Sequence, residues 1–533
     1  RDIALALAPI RDVTAGGARG QIPRFVALAE LLDLPAPTPE LIAQRWRVQP
    51  FGVRAPIGVA SSGVFNLDIR HDGPHALVGG TTGAGKSELL QTMVASLAAN
   101  HPPNRVTFLL IDYKGGAAFK DAVHLPHTVG FVTDLDGHLV HRALVSLNAE
   151  LRQREHLMRD HGVKDLLEME RRVPDLAPPS LLLVVDEFAS LAKELPEFVD
   201  GVVNVAQRGR ALGIHLILAT QRPAGAINDN IRANTNLRIA LRMNDEADST
   251  DVIGRRDAAM LPRTLLGRGF ARTGQAELTE FQVAYVGGQT VTSQHVAATA
   301  EPLRILDVKL GDVLRPAGVV EDDVDGQSDL QVMVDVIRAA AIAEGIPQQS
   351  SPWLPSLPEV LPVATVTDEQ PGRALIGVVD LPESQSQQPW FWDLENDGNL
   401  LVFGTSGAGK TTLLRTMAVW LAQRNAPDAL HIYALDFATR GLQPLAALPH
   451  TGTVVSGDDI ERVQRLIVTI EREIARRKSQ FAAVGASTLT EYQRLAAGAK
   501  LPRIIVLLDG YGGFTSTFDK IDFGEWIERV GRL

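Results

Sequence analysis

The chain contains no cysteine. That excludes disulfides, thiol catalysis and cysteine-based zinc sites, and it fits a reducing, cytoplasmic setting. No apolar run approaches the roughly 18 residues that a membrane-spanning helix needs, and no signal peptide opens the sequence, so it reads as soluble. Basic charge is in deficit: 52 Lys and Arg stand against 63 Asp and Glu, a net charge of −11. The chain as a whole therefore lacks the electrostatic footprint of a nucleic-acid binder. Aromatic residues make up only 5%, yet 45% of the 533 residues are hydrophobic, enough for two or three well-cored domains.

One pattern occurs twice. Gly80-Thr81-Thr82-Gly83-Ala84-Gly85-Lys86-Ser87 and Gly404-Thr405-Ser406-Gly407-Ala408-Gly409-Lys410-Thr411 both fit Gly-x-x-x-x-Gly-Lys-[Ser/Thr], the phosphate-binding loop. Its glycines let backbone N–H groups turn inward beside the positive end of the following helix, its lysine reaches the β- and γ-phosphates, and its hydroxyl serves Mg²⁺. Each loop has the expected setting: apolar His75–Gly79 and Asn399–Phe403 precede as short strands. Residues 88–99 and 412–422 follow with helical periodicity, so Glu88 and Thr412 belong to the cradle as its last members.

The repeat extends further. The two lysines are 324 residues apart, as are Asp112 and Asp436 at the ends of the next apolar strands. Leu125-Pro126-His127 matches Leu448-Pro449-His450, and Leu181–Asp186 matches Ile504–Asp509, with the offset slipping by one. Strands alternating with helices predict two tandem α/β P-loop modules with mostly parallel, doubly wound sheets and sites at the strand C-terminal ends. The expected organisation is a leading segment (1–45), module one (46–300), a linker with one helix (301–352) and module two (353–533). Only 24 residues follow Asp509, whereas module one continues through Ile214–Gln221 and beyond. Module two is thus expected to be C-terminally incomplete, with an uncovered sheet edge, and the chain to be a piece of something longer. In the linker, acidic 321–325 precedes an amphipathic helix carrying Leu330, Met333, Val334, Ile337 and Ala341.

Hydrolysis needs a carboxylate on the metal and a base for water. In module one, Asp186 is the metal acid, Glu187 the base, and Gln221 at the end of the neighbouring strand the γ-phosphate sensor. In module two the acid recurs as Asp509, but Gly510 replaces the base. Module two is therefore expected to bind ATP and turn it over poorly or not at all. Arg210 is the candidate arginine for a neighbouring subunit's site, with Arg238 and Arg242 as competitors. Together with Arg208, Arg222, Arg232, Arg255 and Arg256 they form a basic stretch that reads as a solvated or inter-subunit face, or alternatively as a polymer-contacting one.

The runs at 73–90, 111–119, Leu125–Thr128, Val185–Phe188 and Leu218–Pro223 resemble the FtsK/SpoIIIE motor ATPases. Within that group Lys114-Gly115-Gly116-Ala117, the stretch Arg208–His215 and the degenerate tandem module look most like the EccC/EssC ATPases of type VII secretion. Trp353-Leu354-Pro355, Ile376–Asp380 and Trp392-Asp393-Leu394 resemble the strands that precede later modules in those proteins. The resemblance implies an ATP- and Mg²⁺-dependent hexameric motor at the cytoplasmic face of the cell membrane, tethered through parts missing from this chain. It implies a polymer substrate, either a secreted helical-hairpin protein read through a C-terminal signal or duplex DNA. The acidic net charge and the duplication favour protein.

Overall fold

A computed structural model of the chain describes residues 22–48, 51–113, 117–133, 137–223, 229–273, 278–288, 327–352, 354, 356–367, 370, 372–496 and 501–533. The acidic run at 321–325, residues 114–116, Trp353 and Pro355 lie outside them. The chain divides into two compact units: residues 1–354 with Pro382–Gln385, and residues 355–381 with 386–533. No described helix is long and apolar enough to cross a membrane.

The first unit is built on ten strands: β1 (Arg54–Ala60), β2 (Gly63–Asp68), β3 (His75–Gly79), β4 (Val106–Asp112), β5 (Thr128–Val132), β6 (Ser180–Asp186), β7 (Ile214–Thr220), β8 (Leu237–Leu241), β9 (Arg268–Thr273) and β10 (Leu278–Val283). Their order is β2-β1-β10-β9-β8-β3-β7-β6-β4-β5. The six strands from β8 to β5 run parallel, and β9, β10, β1 and β2 continue the sheet antiparallel. The central strands are apolar on both faces because both faces are covered. Leu77, Leu109, Leu183 and Leu218 belong to one core cluster, and their neighbours Val78, Leu110, Val184 and Ala219 to another. This alternation is what a doubly wound sheet requires.

The short helix Leu28–Leu31, the helix Pro39–Val48 and the helix Asp329–Ala343 all pack into the first unit's core, through Leu28, Ile42, Trp46, Leu330, Met333 and Ile337. The last of these starts at a capping box, in which Ser328 accepts from the Gln331 amide and Gln331 accepts from the Ser328 amide.

The second unit contains an antiparallel hairpin, β11 (Arg373–Leu381) and β12 (Ser386–Asp393), and a parallel sheet of β13 (Leu430–Asp436), β14 (Thr451–Ser456) and β15 (Arg503–Asp509) in the order β14-β13-β15. These three match β4, β5 and β6 of the first unit. The expected strand Asn399–Phe403 does not form: its residues are unassigned, with Leu401 and Phe403 75% and 88% exposed. The first unit shows why. There the strand before the loop, β3, pairs only with β7 and β8, which follow β6 in sequence. In the second unit the residues after Asp509 form the helices Tyr511–Asp522 and Glu525–Arg532, and no described strand there corresponds to β7 or β8. Among the described strands β15 pairs with β13 alone.

Candidate nucleotide sites

In the first unit the loop leaves the C-terminal end of β3 and runs into the helix Lys86–Asn100. Gly83 and Gly85 adopt φ of 73° and 97°, a region that an L side chain strains to enter. The Gly267 backbone lies 3.2 Å from where a Cβ on Gly85 would sit. Three neighbours fix the loop through backbone hydrogen bonds: Gly80 donates to the Thr220 carbonyl at 3.2 Å, Thr81 to the Arg242 carbonyl at 3.0 Å, and Gly267 to the Ala84 carbonyl at 3.1 Å. All three supports come from residues that follow β6.

Strand register brings the acids to the loop. β4 and β6 pair with Asp112 opposite Asp186, and both carboxylates are buried at the same sheet edge. The Lys86 ammonium, 5% exposed, is held by Asp186 and lies 3.3 Å from Glu187 Oε1. Ser87 Oγ is 3.5 Å from Asp186 Oδ2. Glu187 occupies the left-handed region at φ 60°, ψ 40°, as N-cap of the helix Phe188–Glu194, an uncommon conformation for a residue with a side chain. Its amide donates to Asp186 Oδ1 at 2.8 Å. At the end of β7, Gln221 Oε1 accepts a hydrogen bond from Thr82 Oγ1 at 2.7 Å. Lys86, Ser87, Asp186, Glu187 and Gln221 thus converge as the spacing predicts, and Thr82 adds a link that the sequence alone did not show. Glu88 differs from expectation: its carboxylate accepts the backbone N–H groups of Val286 and Gly287.

This donor set suits a magnesium nucleotide triphosphate. A glycine cradle at a helix N-terminus offers amide donors, Lys86 supplies a cation, and a hydroxyl stands beside a carboxylate for the metal.

The second loop has the same local geometry, with Gly407 and Gly409 at φ 80° and 88° and the helix Lys410–Arg424 following. Thr411 Oγ1 donates to Asp509 Oδ2 at 2.6 Å, so hydroxyl and strand-end carboxylate meet here too. The lysine is placed otherwise: Lys410 Nζ donates to the carbonyls of Gly404 and Thr405, each at 2.7 Å, folding the loop onto itself. Residues Gly404 to Gly409 are exposed. Gly510, where Glu187 would recur, is also left-handed, at φ 75°. A Cβ there would meet the Phe437 carbonyl carbon at 2.8 Å and the Ala438 nitrogen at 2.9 Å. The Asp436 carboxylate holds that backbone in place by accepting from the amides of Ala438, Arg440 and Leu442. The chain after β13 occupies the space that a side chain at this position would take.

Arg210 is exposed near the end of the helix Pro196–Leu212. Its helix leads through Gly213 into the start of β7 at Ile214, so Arg210 sits toward the N-terminal edge of the parallel strands, opposite the edge that carries its own loop. In the basic stretch, Arg208, Arg232 and Arg255 pair with Glu155, Asp251 and Asp257. Arg238 donates to the Thr235 and Arg232 carbonyls.

Comparison with known proteins agrees with this geometry. The FtsK/SpoIIIE family matches residues 43–225 and again 366–512. The type VII secretion system protein EssC of Staphylococcus aureus is 33% identical over 525 residues, 92% of this chain and 35% of that one. The ESX secretion system protein EccC of Geobacillus thermodenitrificans is 36% identical over 514 residues, 93% and 34% of the two chains. The cytoplasmic domain of the type VII secretion ATPase EccC of Thermomonospora curvata superposes with a TM-score of 0.75 at 28% identity, covering 94% of this chain and 58% of that one. The chain spans about a third of the length of the curated relatives it matches. With both modules matched and the loop-and-acid geometry in place, the chain belongs to the FtsK/SpoIIIE family.

Proposed function

We propose that the first unit is an ATP-hydrolysing motor module and the second a nucleotide-binding module that does not hydrolyse, within a type VII secretion ATPase. The observation that carries this is the contrast between Glu187, a buried carboxylate at the loop lysine, and Gly510, whose place is packed with backbone.

In the first unit the loop amides and Lys86 would take the β- and γ-phosphates, while Ser87 and Asp186 would hold Mg²⁺, which would neutralise phosphate charge. Glu187 accepts a proton from the attacking water, and Gln221, positioned by Thr82, reads the γ-phosphate. The second unit keeps the cradle and the Thr411–Asp509 pair, sufficient to hold a nucleotide, but has nothing at position 510 to take the proton. Exposed Arg210, remote from its own loop, suits a finger offered to the next copy in a ring, with a hexamer as the assembly.

The substrate reading follows the secretion names of the relatives. It is supported by the net charge of −11 and by the acids that neutralise Arg208, Arg232 and Arg255, so a protein is favoured over duplex DNA. The working location is the cytoplasmic face of a membrane. The test is ATPase rate titrated with duplex DNA and, separately, with the C-terminal peptide of a type VII substrate. Peptide stimulation is expected, and stimulation by DNA alone would sink the secretion reading.

A further inference from the structure

The helix that follows the first loop carries a polar stripe four residues apart. Glu88 Oε1 accepts from Val286 N at 3.0 Å and Gly287 N at 2.9 Å. One turn on, Thr92 Oγ1 donates to the Ala284 carbonyl at 2.6 Å, and one turn further Ser96 Oγ donates to the Pro56 carbonyl at 2.7 Å. Side chains at i, i+4 and i+8 share a face, so this face is fastened at Glu88 and Thr92 to the strap Ala284–Gly288 that leaves β10 and at Ser96 to β1. A carboxylate accepting two consecutive amides makes the strongest of these links, since bonds to a charged acceptor are about twice as strong as neutral ones.

The strap has other attachments. Tyr285 donates to the Val26 carbonyl at 2.7 Å and accepts from Leu28 N at 2.9 Å, and the Gly288 carbonyl accepts from Asp329 N at 2.7 Å. Asp329 is the first residue of the helix Asp329–Ala343, whose Leu330 and Met333 pack in the same core as Leu89 and Met93. Glu88 is the second residue after Lys86 and the first after Ser87. A shift of the loop helix on engaging phosphate therefore reaches the strap through one carboxylate, and through the strap the start of that helix.

We infer that Glu88 is a positioning residue coupling the first nucleotide loop to the strap Ala284–Gly288 and so to the helix Asp329–Ala343. The inference rests on the reading that this loop binds nucleotide. The coupling belongs to the first unit alone: at the repeat offset Glu88, Thr92 and Ser96 become Thr412, Thr416 and Trp420, which offer no carboxylate.

The test is hydrogen–deuterium exchange on the whole chain, with and without Mg²⁺ and a non-hydrolysable ATP analogue, alongside binding of a fluorescent ATP. In the unaltered chain, nucleotide is expected to slow exchange in peptides covering 284–288 and 328–336. Glu88→Ala is expected to keep fluorescent-ATP binding and lose the response at 328–336, with Glu88→Gln, which keeps an acceptor oxygen, restoring it. An unchanged response in Glu88→Ala overturns the coupling. If Glu88→Ala does not fold, Asp329→Pro decides. It deletes the amide bonded to Gly288 at a helix position that tolerates proline, and Ser328 already has the extended φ −68°, ψ 153° that a following proline requires. Loss of the response at 328–336 with retention at 284–288 is expected, and retention at both overturns the proposal. Failure of the unaltered chain to bind fluorescent ATP at all would instead sink the nucleotide reading on which it stands.

Discussion

Two loops of nearly the same sequence sit in different structures. The first is buried at Gly80, Thr81, Ala84 and Lys86 and held from outside by the carbonyls of Thr220 and Arg242 and the amide of Gly267, with its lysine against two carboxylates. The second is exposed, and its lysine is bonded to the loop's own carbonyls. Local sequence builds the cradle in both, since φ above zero at the two glycines and the helix N-terminus are properties of eight residues. The external supports of the first cradle come from residues far along the chain, Thr220, Arg242 and Gly267, and no described strand of the second unit corresponds to the ones that carry or flank them.

The largest expected effect tests that division directly. Lys86→Ala should lower ATP turnover by on the order of 10³-fold, the scale of losing one cation on a transferring phosphoryl group, while Lys410→Ala leaves turnover within about twofold of the unaltered chain. Steady-state phosphate release measures both, and comparable losses would erase the distinction between the loops. Next, Glu187→Gln should cost about 10²- to 10⁴-fold in kcat, the range for a general base, with nucleotide affinity retained. Fluorescent-nucleotide titration beside the kinetics separates base from binding.

A stability difference comes third. Burial lowers the imidazole of His75 to about 4 and those of His127 and His215 to about 3, from 6.5. These rings are neutral when folded and take up protons on unfolding. Their contribution is complete above the unfolded value of 6.5 and falls as pH drops toward 4 and 3. All three lie in the first unit, so at pH 5 it should lose a few kcal/mol, about 2 per ring as an upper figure. Melting followed by calorimetry between pH 7.5 and 5 should show the first unit's transition moving down. A transition that does not move would mean those rings are not buried as neutral groups.

Much of this was legible in the sequence. The loops, the acid at each strand end and the 324-residue repeat are local patterns, and they put Lys86 and Ser87 at the start of the helix after the loop and Asp186 and Gln221 at strand ends, where the structure has them. The missed features depend on pairing and packing between distant residues. Asn399–Phe403 is as apolar as β3, but a strand exists only where a neighbour accepts its hydrogen bonds, and β3's neighbours lie about 140 and 160 residues beyond it in sequence. Glu88 looks like one more cradle residue until the strap that follows β10 delivers two amides to its carboxylate. Gly510 reads as a lost base, whereas it is a position that the backbone of Phe437 and Ala438 closes to any side chain.

That last point gives the fourth prediction. If Gly510 were merely a missing carboxylate, Gly510→Glu would create a second engine. With backbone atoms within 3 Å of its Cβ, the substitution should instead destabilise the second unit by about 1–3 kcal/mol, as overpacking does, and add no hydrolysis in a Lys86→Ala background. Turnover gained there would show that the modules differ by one residue rather than by the chain packed around it.

The smallest effect concerns the bond between Thr82 Oγ1 and Gln221 Oε1, 2.7 Å long. It joins the loop to the end of β7, and it has no counterpart in the second unit, where Ser406 takes the place of Thr82 and no described strand corresponds to β7. Thr82→Val keeps the side-chain shape and removes the hydroxyl, so the loss is that of one neutral hydrogen bond, about 0.5–1.5 kcal/mol, or up to about tenfold in kcat. Gln221→Ala removes the sensor as well as the bond and should cost more. Because both changes break the same link, the double variant should fall short of the sum of the singles by roughly the energy of the bond, and Ser406→Ala should leave turnover unaltered. Additive losses from the two singles would mean that Thr82 serves phosphate alone and that Gln221 is positioned by something else. The external support that distinguishes the first loop would then lie entirely in its backbone contacts to Thr220, Arg242 and Gly267.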